Sequence, residues 1–145
     1  MANVVYNTLK LGLAVGDINL STDSFKVLLV TDVYTPDQDT HEDLADINAI
    51  SGAEVASGGG YTTGGAALAN VVVDIDLVND RAYFTADDLT WATATITARG
   101  AIIYKDTGVA ATSKLVCYKD FAANKTSSGG DFTIAWDATG ILRIQ

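Results

Sequence analysis

From Ala69 the odd positions Val71, Val73, Ile75 and Leu77 are all apolar, and Asn70, Asp74 and Asp76 stand between them. Successive side chains of an extended chain point to opposite faces, so this period of two buries one face of a strand and not one stripe of a helix. The same period governs Thr93 to Tyr104, where Ala94, Ile96 and Ala98 share a face and Thr95, Thr97 and Arg99 take the other, until Gly100 interrupts. A glycine inside a strand marks a bulge or a close approach of another backbone. Further β-rich runs are Phe25 to Thr31, Arg81 to Thr85, Lys114 to Phe121, Phe132 to Trp136 and Ile141 to Ile144, which makes seven or eight strands in all. Turn formers separate them: Asn79-Asp80, Asp106-Thr107-Gly108 and the glycine pair ending at Gly130.

Two segments follow helical spacing instead. Tyr6, Leu9 and Leu13 recur within Val4 to Ala14, ahead of Gly16, and Leu44, Ala45 and Ile47 share a face within Thr40 to Ala49. Glu42, Asp43 and Asp46 then face water, and Asp43 places a negative charge in the first turn, beside the positive end of the helix. Many short strands with two small helices predict a mainly β protein, an antiparallel β-sandwich of jelly-roll-like form with one or two short helices at its edge. The expected organisation is one domain over residues 1–145, with residues 1–16 as an N-terminal helical arm. The expected core is Phe25, Val27, Leu29, Val71, Val73, Ile75, Ile96, Phe132 and Ile134. In such a core Ile75→Ala would cost about 2 to 5 kcal/mol.

Charge narrows the partners. A formal net charge of -9 and a pI near 4.2 disfavour nucleic acid, because the nine basic residues are scattered and form no stripe that could neutralise phosphates. No window approaches the roughly 20 apolar residues of a membrane span, so no membrane association is expected. The opening MANVVYNTLK has no basic cluster followed by an apolar region, so synthesis and use inside a cell are expected. Cys117 is the only cysteine and His41 the only histidine, which excludes an intrachain disulfide and the usual zinc ligand sets. Cys117, between Val116 and Tyr118, reads as a small core residue.

Reactive chemistry finds little support. The stretch ASGGGYTTGG, residues 56–65, concentrates five of the chain's thirteen glycines. Gly65 is followed by Ala66 and Ala67, where a phosphate loop needs lysine and a hydroxyl, and Thr63 stands where the dinucleotide fingerprint needs its third glycine. The loop is expected to be a mobile corner or a contact surface. His41 is the one imidazole available for base catalysis, and no G-x-S-x-G places a serine on an elbow. The carboxylate pairs Asp87/Asp88 and Asp74/Asp76 are of a kind that solvated strands carry routinely. The acidic runs 37–43 and 74–80 gather oxygen ligands, yet Glu42 and Asn79 occupy the sixth position that a calcium loop reserves for glycine. No catalytic, cofactor or metal residue is assigned. Arg99, in an otherwise small or apolar strand, is expected to pair with an aspartate in its own chain or across a subunit boundary, since an unpaired buried charge is costly.

Several blocks carry a resemblance: Phe25 to Thr31, Tyr34 to His41, Gly60 to Gly65, Ala86 to Trp91, Thr95 to Gly108, Leu115 to Phe121 and Trp136 to Ile144. Over nearly the whole chain they resemble small virion proteins of tailed bacteriophages. Where similar blocks carry a bulky aromatic after the arginine, this chain has Gly100. The resemblance implies a non-enzymatic component of a virus particle, with no catalytic residues to carry over. A mean hydropathy of +0.21 with only 19% charged residues leaves little polar surface for a free monomer, so apolar area is expected to be covered by neighbours. The expected role is a capsid decoration or cement protein, a homotrimer bound to the major capsid protein or another virion protein. Tyr6, Leu9, Gly59, Gly60, Tyr61 and Arg99 are the candidate interface residues. The alternatives are a tail, baseplate or fibre-attachment subunit, and a carbohydrate-binding domain that stacks sugars on Tyr61, Trp91 or Trp136.

Overall fold

The computed structural model of the chain describes residues 2–145. Its elements run β1 (Val4–Val5), α1 (Asn7–Val15), β2 (Phe25–Val30), α2 (Leu44–Asn48), β3 (Ala66–Ala67), β4 (Val72–Asp76), β5 (Arg81–Thr85), β6 (Leu89–Ala94), β7 (Thr97–Lys105), β8 (Leu115–Thr126), β9 (Gly130–Ile134) and β10 (Leu142–Ile144). A single 3-10 turn, Ala110–Thr112, precedes β8. Every ladder is antiparallel. The strands form a five-stranded sheet in the order β1-β8-β7-β2-β3, a three-stranded sheet β10-β5-β4 and a two-stranded sheet β6-β9. The fold is mainly β and sandwich-like; its strands divide five, three and two, where a jelly roll pairs two four-stranded sheets.

The central sheet is buried on both faces. Val27 lies beside Ile103, and Ile103 beside Cys117, on the side packed with Phe25, Leu29, Ile96, Phe84, Trp91 and Phe132. One position along, Leu28, Ile102 and Tyr118 align on the opposite side, against Tyr6, Tyr34, Ile47 and Ala53. This explains why Val27 to Val30 shows no polar alternation: a strand with core on both sides needs none. Cys117 is a buried core residue.

The strand expected from Thr93 to Tyr104 divides in two. Ala94, Ile96 and Ala98 are buried and Thr95 and Thr97 exposed, so the two faces are as the alternation implies. Thr93 takes a positive φ of 50°, however, and the β6/β9 register shifts between Trp91 and Ala94. The chain bends there and passes from the two-stranded sheet to the five-stranded one, the corner by which orthogonal sandwiches are built. A second register shift falls between Ala98 and Gly100. Gly100 is therefore at a bulge, and a Cβ on it would lie 2.5 Å from Cε2 of the Tyr118 ring.

Both helices are shorter than their spacing implies. Val4 and Val5 leave the N-terminal segment to pair with Tyr118 and Cys117 of β8, and α1 starts at Asn7. It stops at Gly16, whose φ of 82° is the left-handed cap that favours glycine. Helix α2 starts after Asp43, which accepts a hydrogen bond from the Ala45 N–H while Asp46 accepts from the Asp43 N–H, a reciprocal capping box. Thr40 to Glu42 lie outside the helix.

The expected core needs one correction. Phe25, Val27, Leu29, Ile96, Phe132 and Ile134 are buried, but Val73 and Ile75 are exposed and Val71 only half-buried. Val73 and Ile75 do stand on the inward side of β4, opposite Phe84 and Ala82 of β5. Phe84 is fully buried, while the strand end that carries Ile75 runs past the rim of the core.

Candidate functional site

The glycine-rich loop is pinned to the central sheet. Tyr61 is buried, and its hydroxyl donates to Glu54 Oε1 at 2.8 Å while accepting the Leu29 N–H at 3.1 Å. Glu54 Oε1 also accepts the Gly64 N–H at 2.6 Å, and the Tyr104 hydroxyl donates to the Gly64 carbonyl at 2.6 Å. Gly59 accepts the Thr95 N–H at 2.7 Å, and a Cβ on Gly60 would lie 3.1 Å from Ala94 Cα. A Cβ on Gly65 would collide with the Val27 carbonyl. These glycines bring the loop backbone against the backbone of the sheet. The loop is a corner, but a fastened one. Burial and the neighbouring Glu54 carboxylate both push the Tyr61 hydroxyl well above its ordinary pKa, so it stays a protonated donor.

Tyr6 and Leu9, expected at an interface, are also interior side chains. Tyr6 hydrogen-bonds Tyr34 at 2.7 Å, and Tyr34 lies 3.0 Å from Nδ1 of His41. The Asp37 N–H also points at Nδ1, at 3.2 Å, so that nitrogen is an acceptor. The order of donation follows: the Tyr34 hydroxyl donates to His41 Nδ1, and its oxygen accepts from the Tyr6 hydroxyl. Burial raises both phenols, that of Tyr34 to about 12. His41 thus closes a partly buried hydrogen-bond chain.

Arg99 meets an aspartate of its own chain. Its Nε lies 3.1 Å from Asp120 Oδ1, across the bulge that Gly100 creates. The Asp120 side chain is 5% exposed. Burial raises its pKa, but the Ala122 N–H and the Arg99 guanidinium outweigh burial and hold the carboxyl below its usual range. Tyr118 lies close by; burial is the main influence raising its hydroxyl, Arg99 lowers it, and among the described residues no hydrogen bond of good geometry reaches that oxygen. Of the six candidate interface residues, the structure leaves only Gly59 and Gly60 exposed and Arg99 partly so.

A surface that the alternation disguised lies on the β4–β5 hairpin. Ile75 is 64% exposed, Leu77 81% and Val78 90%, with Val72, Val73 and Ile144 also uncovered. Ile75, Ala82 and Ile144 form one cross-strand row, and Val73, Phe84 and Leu142 form the row beside it. Phe84 and Leu142 close against the core, whereas the outer row overhangs it. The turn that carries Leu77 and Val78 is held by Asp76, which accepts from the Val78 and Asn79 N–H groups, from Asn79 Nδ2 at 2.7 Å and from Arg81 Nε at 3.0 Å. The apolar tip is therefore both exposed and fixed.

The acidic runs are used locally. Asp37 accepts the Asp39 and Thr40 N–H groups, and Asp76 shapes the hairpin turn as described. Among the described residues no three His, Cys, Asp or Glu side chains converge as a metal would require, and no helix is long and apolar enough to cross a membrane. Comparison with protein-family models, with curated proteins and with solved structures finds no match for this chain.

Proposed function

We propose that the chain is a non-enzymatic structural protein of a tailed-bacteriophage virion, a capsid decoration protein that braces the head as a trimer through contacts with the major capsid protein. The observation that carries this reading is the overhanging apolar end of the three-stranded sheet, held in place by a hydrogen-bonded turn. A rigid surface of this kind suits docking, because little conformational freedom is lost when it is covered. The blocks that resemble phage virion proteins supply the setting, and the net charge of -9 suits the outside of a shell better than contact with packaged DNA. A sugar-stacking platform has less behind it: Trp91 is buried between Tyr61 and Phe132, and the Trp136 indole N–H is committed to the Asp87 carbonyl at 2.9 Å.

Copy number on purified particles tests the proposal. A copy number that tracks the major capsid protein, with all copies lost when heads are stripped, is the expected result. A copy number that tracks the tail, with retention on isolated tails, would move the protein to a tail or baseplate position and end the decoration reading.

A further inference from the structure

We propose that copies of this chain associate head to tail, the β4–β5 hairpin of one copy seating in the groove between β8 and β9 of the next. This specifies the self-assembly part of the reading above, but it stands on the residues that follow and on nothing viral.

The hairpin supplies the apolar half. Val72, Val73, Ile75, Leu77 and Val78 are all exposed. Val73 and Ile75 share one face of β4, Leu77 and Val78 continue the exposed apolar surface into the turn, and Val72 is exposed on the other face; a contiguous exposed apolar patch on a monomer marks a contact site. Strand β4 is the outermost of its sheet, so its backbone edge is open as well.

The groove supplies the other half. It has a volume of about 480 Å³ and is lined by Phe121, Lys125 and Ser127 on one side and by residues 131–135 on the other. Neighbouring side chains of a strand point to opposite faces, so four consecutive lining residues of β9, Asp131 to Ile134, mean that the groove meets the strand along its edge. Among the described residues strand β9 pairs with β6 alone, which leaves that edge unpaired. Phe132 and Ile134 provide an apolar floor. Both β4 and β9 are five residues long, so one can lie along the other as an added strand.

Charge selects a second copy and the manner of its approach. Lys125 is exposed and has neither an ion pair nor a hydrogen bond among the described residues, and Asp74 on β4 is engaged by its neighbour's N–H, that of Ile75, at 2.8 Å. A hairpin in the groove brings these opposite charges together. The groove's own carboxylate, Asp131, accepts the Thr93 N–H at 3.2 Å. The symmetric alternative, β4 against β4, would be centred on Asp74 and would set two carboxylates opposite each other, which destabilises a ladder. A contact between two different surfaces closes into a ring or runs on as a filament, according to the rotation between copies.

Sedimentation velocity on the purified full chain over a concentration series tests this. Wild type is expected to associate, and Leu77→Asp and Lys125→Glu each to weaken association about tenfold or more, with circular dichroism unchanged. Asp74→Lys combined with Lys125→Glu is expected to recover part of the loss. The decisive arm mixes Leu77→Asp with Lys125→Glu: each retains one intact surface, so a discrete pair should form where neither protein associates alone. A monomeric wild type at every concentration would overturn the proposal, as would association indifferent to both variants. If only Leu77→Asp weakens association and the mixture forms no pair, the contact is symmetric and the head-to-tail arrangement is wrong. None of these results bears on copy number in the particle, so this proposal and the decoration reading fail separately.

Discussion

The central sheet and the β4–β5–β10 sheet are built from similar residues and have opposite fates. In the first, Leu28, Ile102 and Tyr118 line one face and Val27, Ile103 and Cys117 the other, all of them buried. In the second, apolar rows of the same kind start at Phe84 in the core and end at Ile75 in solvent. Each sheet also carries an arginine–aspartate pair: Arg99–Asp120 with a nearly buried carboxylate, and Arg81–Asp76 at a hairpin turn. The difference teaches that a strand's pattern defines which side is apolar, while the neighbouring layer decides whether that side contributes to stability or is left for a partner.

The largest test of the contrast is Ile102→Ala. Ile102 is fully buried between Leu28 and Tyr118 in the middle of the sheet, so the loss should be about 2 to 5 kcal/mol. Urea denaturation that shows less than about 1 kcal/mol, half the low end of that range, would mean that the central sheet is no better packed than the hairpin. Gly65→Ala comes next. Gly65 has a φ of 77°, and an added Cβ meets the Val27 carbonyl of β2, which cannot move without breaking the sheet. The expected cost is about 1 to 3 kcal/mol, and an unchanged urea midpoint would show that the glycine loop is not fastened to the sheet.

The two ion pairs sharpen the comparison through pH. Burial raises Asp120, and the Ala122 N–H and Arg99 outweigh it; Asp76 is lowered chiefly by the Asn79 side chain, with Arg81 adding to the effect. Both carboxyls therefore have folded pKa values below the unfolded value of about 4. A depressed pKa contributes stability that is present above about pH 4 and is lost as pH falls through the folded value. Asp120→Asn should remove part of this acid sensitivity, and Asp76→Asn less of it, because Asp76 is more exposed. Urea midpoints measured at neutral pH and near pH 3 check the order, and a larger effect at Asp76 would reverse it.

Much of this was legible in the residues. The two faces of Ala94 to Ala98, the break at Gly100, the buried Cys117 and the aspartate partner of Arg99 follow from alternation, a missing side chain and the cost of an unpaired charge. The bend at Thr93 was not, because alternation continues across it and only the positive φ reveals that the chain changes sheets. Helical spacing placed Tyr6 and Leu9 on an apolar stripe, but a stripe does not say whether its cover is the same chain or another. The glycine loop was equally silent, since glycine serves a mobile corner and a tight backbone contact alike. What hid the hairpin was that Val73 and Ile75 obey the strand rule and yet lie beyond the reach of the facing layer.

The smallest effect on stability is the most informative. Ile75→Ala removes the same atoms as a core truncation, from a side chain that is 64% exposed in a row that overhangs the core. Folding buries little of it, so the change should stay within about 0.5 kcal/mol, as for other surface positions. If the outer row is the docking surface, the same substitution should still weaken association between copies, because there the side chain is buried by its neighbour. A urea titration and a sedimentation series on one preparation measure the two quantities separately. A loss of stability as large as that expected for Ile102→Ala would return Ile75 to the core and remove the distinction between the two sheets.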